Sequence, residues 1–206
     1  PDLLLKAYSI GVFPMAEDHD DPEIFWVDPR MRGILPLDRF HVPRRLRRTV
    51  RSSIYKVTVN ADFNAVIEGC AKTVNDRPQT WINTKIIDLY TSLHYMGYAN
   101  SLECWRNGEL AGGLYGVILG GVFFGESMFS RQRDASKVAL VHLIYRMHAG
   151  NFAFVDTQFI TKHLSQFGAI EIPRQEYIDM LKKGLKLPSN FKAPISKQII
   201  ESVLQN

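Results

Sequence analysis

The sequence predicts an α+β protein, and three observations lead to that class. Short β-branched stretches alternate with segments of helical periodicity along the 206 residues. Three apolar runs in the second half are separated only by tight-turn signals, as in an antiparallel sheet. The apolar and charged fractions, 46% and 22%, are those of an ordinary globular protein, which excludes wholesale disorder, collagen and coiled coil.

Residues 1–60 are predicted to form a small, mixed N-terminal domain. A short helix is expected over 2–8, ending at Gly11. Two extended segments, 24–27 and 33–37, follow on either side of a proline-containing turn. The β-branched, alternating stretch 55–59 is typical of a strand.

Residues 61–184 are predicted to form a second domain of sheet and helices. Asp62 and Thr84 are expected to begin two helices, and Gly97 to end the second. Asn107-Gly108 is a strong two-residue hairpin signal. The tail 185–206 is loosely patterned, with one helix expected after residue 196. The predicted elements of the second domain are helices over 62–70, 84–96, 134–148 and 161–168, and strands over 101–105, 109–117, 122–129 and 152–158.

The charge is unevenly placed along the chain. The net charge is +4, yet residues 39–56 hold seven basic residues and no acid, which leaves −3 for the rest. A polyanionic partner such as nucleic acid is therefore expected, although one charged helix face is the alternative interpretation. Trp26 and Trp81 lie beside loop signals and are candidates for stacking on unpaired bases; the alternative is that they are core residues. The basic residues are Arg39, Arg44, Arg45, Arg47, Arg48, Arg51 and Lys56.

Several classes of protein are excluded by what the sequence lacks. Cys70 and Cys104 are too few for a disulfide scaffold and are expected to be reduced thiols of a cytoplasmic protein. No zinc spacing occurs among the cysteines and the six scattered histidines, so no metal is expected. The longest uncharged run, 110–125, is shorter than the roughly 18 residues of a membrane span.

Two sets of polar residues interrupt apolar strands and are candidates for chemistry. On a regular strand Glu126 shares a face with Phe124 and Met128, and a carboxylate buried there needs a partner. It would orient a cationic or amine-bearing ligand; the alternative is an exposed edge-strand glutamate. Asp156 and Gln158 lie two apart at the end of a buried strand and are expected to point the same way, into a cleft. A capping aspartate and a solvated glutamine are the alternative.

The segment 130–137 separates a strand from a helix and carries three basic residues. Arg131, Arg133 and Lys137 at a helix start could hold a phosphate, and their placement is similar to the phosphate loop of N-acetyltransferases. The segment has no glycines, however, which argues against coenzyme A as a donor. A polar loop with Asp134 as the helix cap is the other interpretation.

The order of seven short motifs resembles that of a known family. These are Ala7-Tyr8-Ser9-Ile10-Gly11-Val12-Phe13-Pro14-Met15, Asp28-Pro29-Arg30, Thr80-Trp81-Ile82, Gly112-Gly113-Leu114-Tyr115-Gly116-Val117, Phe123-Phe124-Gly125-Glu126-Ser127-Met128-Phe129-Ser130-Arg131, Asp134-Ala135-Ser136-Lys137 and Asp156-Thr157-Gln158. They resemble the leucyl/phenylalanyl-tRNA–protein transferases over roughly residues 2–180. The resemblance implies a cytosolic bacterial enzyme of the N-end rule pathway, with no cofactor and an acetyltransferase-like (GNAT-type) C-terminal domain. Such enzymes move Leu or Phe, and Met less well, from tRNA to proteins that begin with Arg or Lys.

The same resemblance implies roles for individual residues. Asp156 and Gln158 are similar to the pair that draws the proton from the attacking amine, and Glu126 to the pocket carboxylate. Trp81 is similar to the tryptophan near the terminal adenosine of the tRNA, and Trp26 to a second one. The amino-acid pocket is implied for Leu114, Phe123, Gly125, Met128, Leu143, Met147, Val155 and Thr157. With tRNA as the polyanion, the basic charges themselves predict tRNA contacts for Arg44, Arg45, Arg47, Arg48, Arg51 and Arg131. A monomer is expected; a non-catalytic RNA-binding module and a small-molecule acetyltransferase stay open as alternatives.

Overall fold

A computed structural model describes residues 1–21, 23–73 and 80–205. In chain order the elements are α1 (Asp2–Ser9), β1 (Phe13–Met15), β2 (Phe25–Val27), β3 (Met31–Pro36), a 3-10 turn (Leu37–Arg39), α2 (Arg44–Arg51), β4 (Lys56–Val59), α3 (Phe63–Ala71), α4 (Thr84–Tyr95), β5 (Ala99–Arg106), β6 (Glu109–Leu119), β7 (Val122–Ser130), α5 (Ala135–Ala149), β8 (Phe154–Gln158), α6 (Lys162–Ser165), β9 (Ile170–Pro173), α7 (Arg174–Gly184) and α8 (Lys197–Gln205). Helices and strands thus alternate along the chain, and the α+β class is confirmed.

Most strands form one seven-stranded sheet in the order β4-β5-β6-β7-β8-β3-β9, while β1 and β2 pair separately. The β7–β8 pair is parallel and the other pairs are antiparallel. Strands from both sides of residue 60 therefore belong to the same sheet, and the division into domains at residues 60 and 184 stays a prediction.

The hairpins of the second half follow from local turn chemistry. Asn107 and Gly108 have φ angles of 53° and 82°, the positive values that a two-residue hairpin turn requires. Gly120, with φ 53°, turns β6 into β7. The predicted succession of three antiparallel strands is confirmed.

The helix caps confirm one prediction and correct another. The side chain of Asp62 accepts the backbone N–H three residues on, as expected of an N-cap. The cap of α4 is Asn83 and not Thr84, because the Asn83 side chain accepts the backbone N–H of Ile86 while Thr84 is already helical. Gly97, with φ 84°, follows the end of α4 as predicted.

Two elements beyond residue 169 were not predicted. The strand β9 is an edge strand of four residues paired with β3, and α7 begins directly after Pro173. Four residues give too little alternation to identify a strand, since what orders them is β3, far away in sequence. The expected last helix is confirmed as α8.

Helices cover both faces of the sheet. One core contains buried residues of α2, α5 and α8, and the other contains those of α1, α3, α4 and α7. The central strand β6 is consequently buried from Leu110 to Val117, which explains its unbroken apolar sequence. Across the described ranges, every helix is too short or too polar to span a membrane.

Candidate active site

A cavity of about 280 Å³ opens between β1, β6, β7, β8, α5 and α6. Its wall is mostly apolar, with Glu126, Gln158 and a few hydroxyl groups as the polar exceptions. Ten of the predicted site residues meet there: Trp81, Leu114, Phe123, Gly125, Glu126, Met128, Leu143, Val155, Thr157 and Gln158.

Other predicted site residues lie elsewhere. Met147 is a residue of α5; it is fully buried in the core and does not line the cavity. Asp156 is 0% exposed and does not line the cavity either. Trp26 lies on β2 opposite Pro14 and is 45% exposed, so its interpretation as a core residue is wrong.

The N-terminal strand β1 supplies a wall that sequence reasoning did not assign. Phe13, Pro14 and Met15 line the cavity, as does Phe159 just beyond β8. Phe13 belongs to the first motif of the family resemblance, and that motif was the one sequence signal that could have indicated a role for β1 in the site. The remaining unassigned lining residues are Tyr115, Ser127, Leu140, Thr161 and Leu164.

A bulge in β7 places Glu126. Gly125 pairs with Gly116 and Ser127 pairs with Tyr115, so Glu126 is the extra residue between two registered pairs. The bulge shifts the alternation of the strand: Phe124 packs in one core and Met128 against the other. The prediction that these two side chains share a face with Glu126 is therefore wrong.

Glu126 is buried, 8% exposed, and accepts three hydrogen bonds. Its Oε1 accepts from the Tyr8 hydroxyl at 2.7 Å and from Gln158 Nε2 at 3.0 Å, and its Oε2 accepts from the Tyr90 hydroxyl at 2.8 Å. The two tyrosine hydroxyls also contact each other. Sequence reasoning did not identify either tyrosine, and the alternative of an exposed glutamate is wrong.

Burial raises the pKa of Glu126 to about 7, and the hydrogen bonds from Tyr8 and Tyr90 oppose this rise. Burial also raises the pKa values of both tyrosines, with the charge of Glu126 adding to the effect. The tyrosines therefore remain protonated donors, while the carboxyl titrates near neutral pH.

Asp156 is held by a buried arginine. Arg32 donates from Nε to Oδ1 at 2.9 Å and from Nη2 to Oδ2 at 2.6 Å, and the Tyr177 hydroxyl donates to Oδ2 at 2.7 Å. The backbone N–H of Gln158 donates to Oδ1 at 2.9 Å. Gln158 has a φ of 56°, so the strand geometry ends there and its side chain turns into the cavity. This is why Asp156 and Gln158 do not point the same way, contrary to the prediction.

The basic residues of α2 lie mostly at the surface. Arg44, Arg45, Arg48 and Arg51 are exposed, whereas Leu46 is buried and anchors the helix. The remaining arginine of the cluster, Arg47, is partly buried and donates to a backbone carbonyl.

The start of α5 corrects the interpretation of the 130–137 segment. Asp134 makes no side-chain cap; instead the Ser130 hydroxyl accepts the Ser136 N–H at 2.9 Å. The predicted tRNA contact Arg131 is exposed and packs its guanidinium over Phe129.

The potential metal ligands lie away from the cavity. Within the described ranges, Asp18, His19 and Asp20 are three neighbouring groups close enough to share an ion, but all are partly or fully exposed, and His19 pairs with both aspartates. Both cysteines are buried and neither forms a disulfide, and burial raises the pKa of Cys104 to about 12.

Comparisons with known proteins agree on one family. A family model described as leucyl/phenylalanyl-tRNA protein transferase matches residues 34–182, and the model of that family's N-terminal domain matches residues 1–30. A leucyl/phenylalanyl-tRNA–protein transferase of Rhodopseudomonas palustris (strain TIE-1) is 56% identical over 200 residues, covering 97% of this chain and 89% of the relative. Its counterpart in Maricaulis maris (strain MCS10) is 57% identical over 190 residues, covering 92% and 88%.

Solved structures add little to these matches. L-PGS from Bacillus licheniformis aligns with 98% of this chain and 62% of its own, at 11% identity and a TM-score of 0.42. So weak a likeness does not establish a shared fold. The sequence matches do establish the relationship that the motifs predicted: the chain belongs to the leucyl/phenylalanyl-tRNA–protein transferase family and is an aminoacyltransferase.

Proposed function

We propose that the protein transfers Leu or Phe, and Met less well, from aminoacyl-tRNA to proteins whose first residue is Arg or Lys. The observation that carries the proposal is an apolar cavity in which a buried carboxylate is hydrogen-bonded to a glutamine. The family membership supports the reaction type. In this proposal the reaction takes place in the cytoplasm and the product is an N-end rule degradation signal.

The cavity suits an apolar donor side chain. Leu114, Phe123, Met128, Leu143 and Val155 are among the aliphatic and aromatic residues of its wall. Such a wall discriminates by shape, at about 1–3 kcal/mol per methylene group. Unbranched and γ-branched side chains are therefore preferred over β-branched ones, and some use of Met is expected.

The reaction is aminolysis of an ester and needs no covalent enzyme intermediate. The acceptor nitrogen attacks the carbonyl carbon of the ester, and the bond from that carbon to the ribose oxygen breaks. The amine loses a proton, and the ribose oxygen gains one to become a hydroxyl group. Free α-amines have a pKa of about 7.7–8.0, so a fraction is already neutral near pH 7. Positioning the reactants supplies roughly 7–11 kcal/mol of the barrier reduction.

Gln158 is the group proposed to meet the amine. Its Nε2 donates to Glu126, which leaves the amide oxygen as the free acceptor. When the acceptor amine donates a hydrogen bond to that oxygen, its nitrogen is oriented towards the ester. Asp156, in contrast, contacts the backbone N–H of Gln158, so it acts on the glutamine through the main chain.

The tRNA is proposed to lie across α2 and reach the cavity past Trp81. The exposed arginines of α2 neutralise phosphates, with an affinity that falls steeply with salt. Trp81 lines the cavity and is the residue proposed to stack on the terminal base. Exposed Trp26 and Arg131 are the proposed flanking contacts.

An acetyltransferase-like fold for the second half is also part of the proposal. The chain there runs through three antiparallel strands, a long helix and a strand parallel to the third, with the cavity beside the parallel pair. The family resemblance implies the same arrangement.

One assay tests the proposed function. The protein is incubated with radiolabelled Phe-tRNA and a peptide beginning with Arg, and an N-acetylated copy of that peptide is the control. Label on the free peptide alone is the expected result. RNA binding without transfer would favour the binding module, and binding of acetyl-CoA would favour the acetyltransferase. Asp156→Ala with a wild-type kcat at every pH would contradict a role for the Asp156–Gln158 pair.

A further inference from the structure

Arg32 is a buried charge that no sequence motif identified. It lies on β3 and is 1% exposed. A guanidinium in that setting is stable only if its donors are satisfied. Two of its nitrogens form the fork on Asp156, and Nη1 donates to the carbonyl of Gly11 at 2.8 Å.

Aromatic rings fix the plane of this guanidinium. Its central carbon lies 4.5 Å from the ring centroid of Phe13 and 4.5 Å from that of Tyr177. The fork and the ring contacts together specify arginine, because a lysine ammonium is a point charge that reproduces neither geometry.

Through Asp156 the arginine acts on Gln158. The oxygen that accepts from Arg32 Nε also accepts from the backbone N–H of Gln158. Gln158 has the left-handed φ of 56°, a conformation that costs a non-glycine residue free energy and persists only where its surroundings impose it. The carboxylate of Asp156 is the group that holds this N–H, and the turn it stabilises directs the amide side chain into the cavity.

The third donor reaches the opposite wall. Gly11, whose carbonyl accepts from Nη1, has a φ of 86° and connects α1 to β1. Phe13 follows two residues later and lines the cavity while it packs on the guanidinium. One side chain thus joins the end of β8, which carries Gln158, to the segment that leads into β1.

We propose that Arg32 is a positioning residue of the transfer reaction, which sets the place of Gln158 through Asp156 and the spacing of the cavity walls through Gly11. This inference rests on the proposed function. In this proposal Arg32 and Asp156 position other groups. The carboxylate of Asp156 stays paired with Arg32 and takes no proton from the amine.

Arg32→Lys tests the proposal, because it keeps the charge and removes the fork. The expected result is a kcat lowered by about 10²-fold, the cost of misplacing a catalytic group by about 1 Å, with the KM for Phe-tRNA within about threefold. Rates are divided by the folded fraction from circular dichroism. Arg174→Ala is the matched control, since it breaks an arginine–aspartate pair that lies at the surface, and it should leave kcat unchanged. A wild-type kcat for folded Arg32→Lys would overturn the proposal.

Two further measurements cover the remaining outcomes. If Arg32→Lys does not fold, Asp156→Asn keeps the shape of the acid and breaks the arginine fork, because an amide nitrogen replaces one of its two acceptors. Its kcat should fall about tenfold at constant KM, and an unchanged kcat would overturn the proposal. If the wild-type protein makes no transfer product, the proposed function fails by itself. The chemical shift of the Gln158 backbone amide then decides, because it should move in Arg32→Lys or Asp156→Asn but not in Arg174→Ala.

Discussion

Glu126 should make the protein less stable as the pH rises, and replacing it with glutamine should abolish that loss. Burial raises the pKa of this carboxyl from its ordinary 4.5 to about 7. A group whose pKa is higher in the folded than in the unfolded state stabilises fully below the unfolded value, and this contribution is lost as the pH rises through the folded value. At about 1.36 kcal/mol per pH unit, the free energy of unfolding falls by about 3 kcal/mol between pH 4.5 and 7.

Glu126→Gln keeps the shape of the side chain and does not titrate. Its stability relative to the wild type should therefore increase by about 3 kcal/mol from pH 4.5 to 7.5. Its kcat should fall, because an amide cannot accept the bonds from both tyrosines and Gln158 at once. Relative to the wild type, the variant is therefore expected to gain stability as the pH rises and to be less active.

Urea denaturation of both proteins from pH 4.5 to 8 measures this difference. Other groups titrate in the same range, notably His142, whose pKa burial lowers to about 4, but they cancel in the difference between the two curves. Glu103→Gln is the activity control, since Glu103 is also buried, accepts from hydroxyl groups and lies outside the cavity. A difference that stays constant within about 0.5 kcal/mol would refute the reasoning.

Three further predictions concern the basic helix, the strand end and the pocket. Replacing Arg44, Arg45 and Arg48 with alanine should raise the KM for aminoacyl-tRNA and reduce the slope of log affinity against log salt by up to about 3; unchanged binding at low salt would contradict this. Gly33→Ala places a Cβ 2.6 Å from the backbone just past β8, so kcat should fall by about 10²-fold in single-turnover assays, and a wild-type rate would show that the strand end tolerates displacement. Leu143→Phe fills the cavity and should reduce the use of Phe-tRNA relative to Leu-tRNA by about 10–10²-fold in competition; equal use would place the donor side chain elsewhere.

Local signals identified the elements whose geometry is set locally. Asn107-Gly108 fixed a hairpin through its positive φ angles, and Asp62 capped a helix with its own side chain. The strand β9 escaped prediction because β3, far away in sequence, orders it. The bulge at Glu126 lies within the β6–β7 hairpin and also escaped prediction. A bulge leaves no mark on alternation that a single sequence reveals, so the faces of β7 were assigned wrongly beyond it.

The same contrast holds in the site. The apolar context of Glu126 correctly indicated a buried carboxylate that needed partners, and the partners themselves could not be named. Tyr8 lies 118 positions away and Tyr90 36, each on a helix where a tyrosine is ordinary core material. Arg32 lies 124 positions from Asp156. Only the fold brings such pairs together.

Of the two carboxylates of the site, only Asp156 is paired with a positive charge, and the difference suits the cationic acceptor of the proposed reaction. Asp156 forms an ion pair with the buried Arg32. Glu126 accepts hydrogen bonds from neutral donors alone, so its ionised form carries an unmatched charge next to the cavity. An ammonium group in the cavity supplies the missing positive charge and draws the pKa of Glu126 back down. Ionisation of Glu126 costs stability in the empty site, and binding of a positively charged acceptor recovers that free energy. A charged acceptor is therefore expected to bind more tightly than a neutral analogue of the same shape.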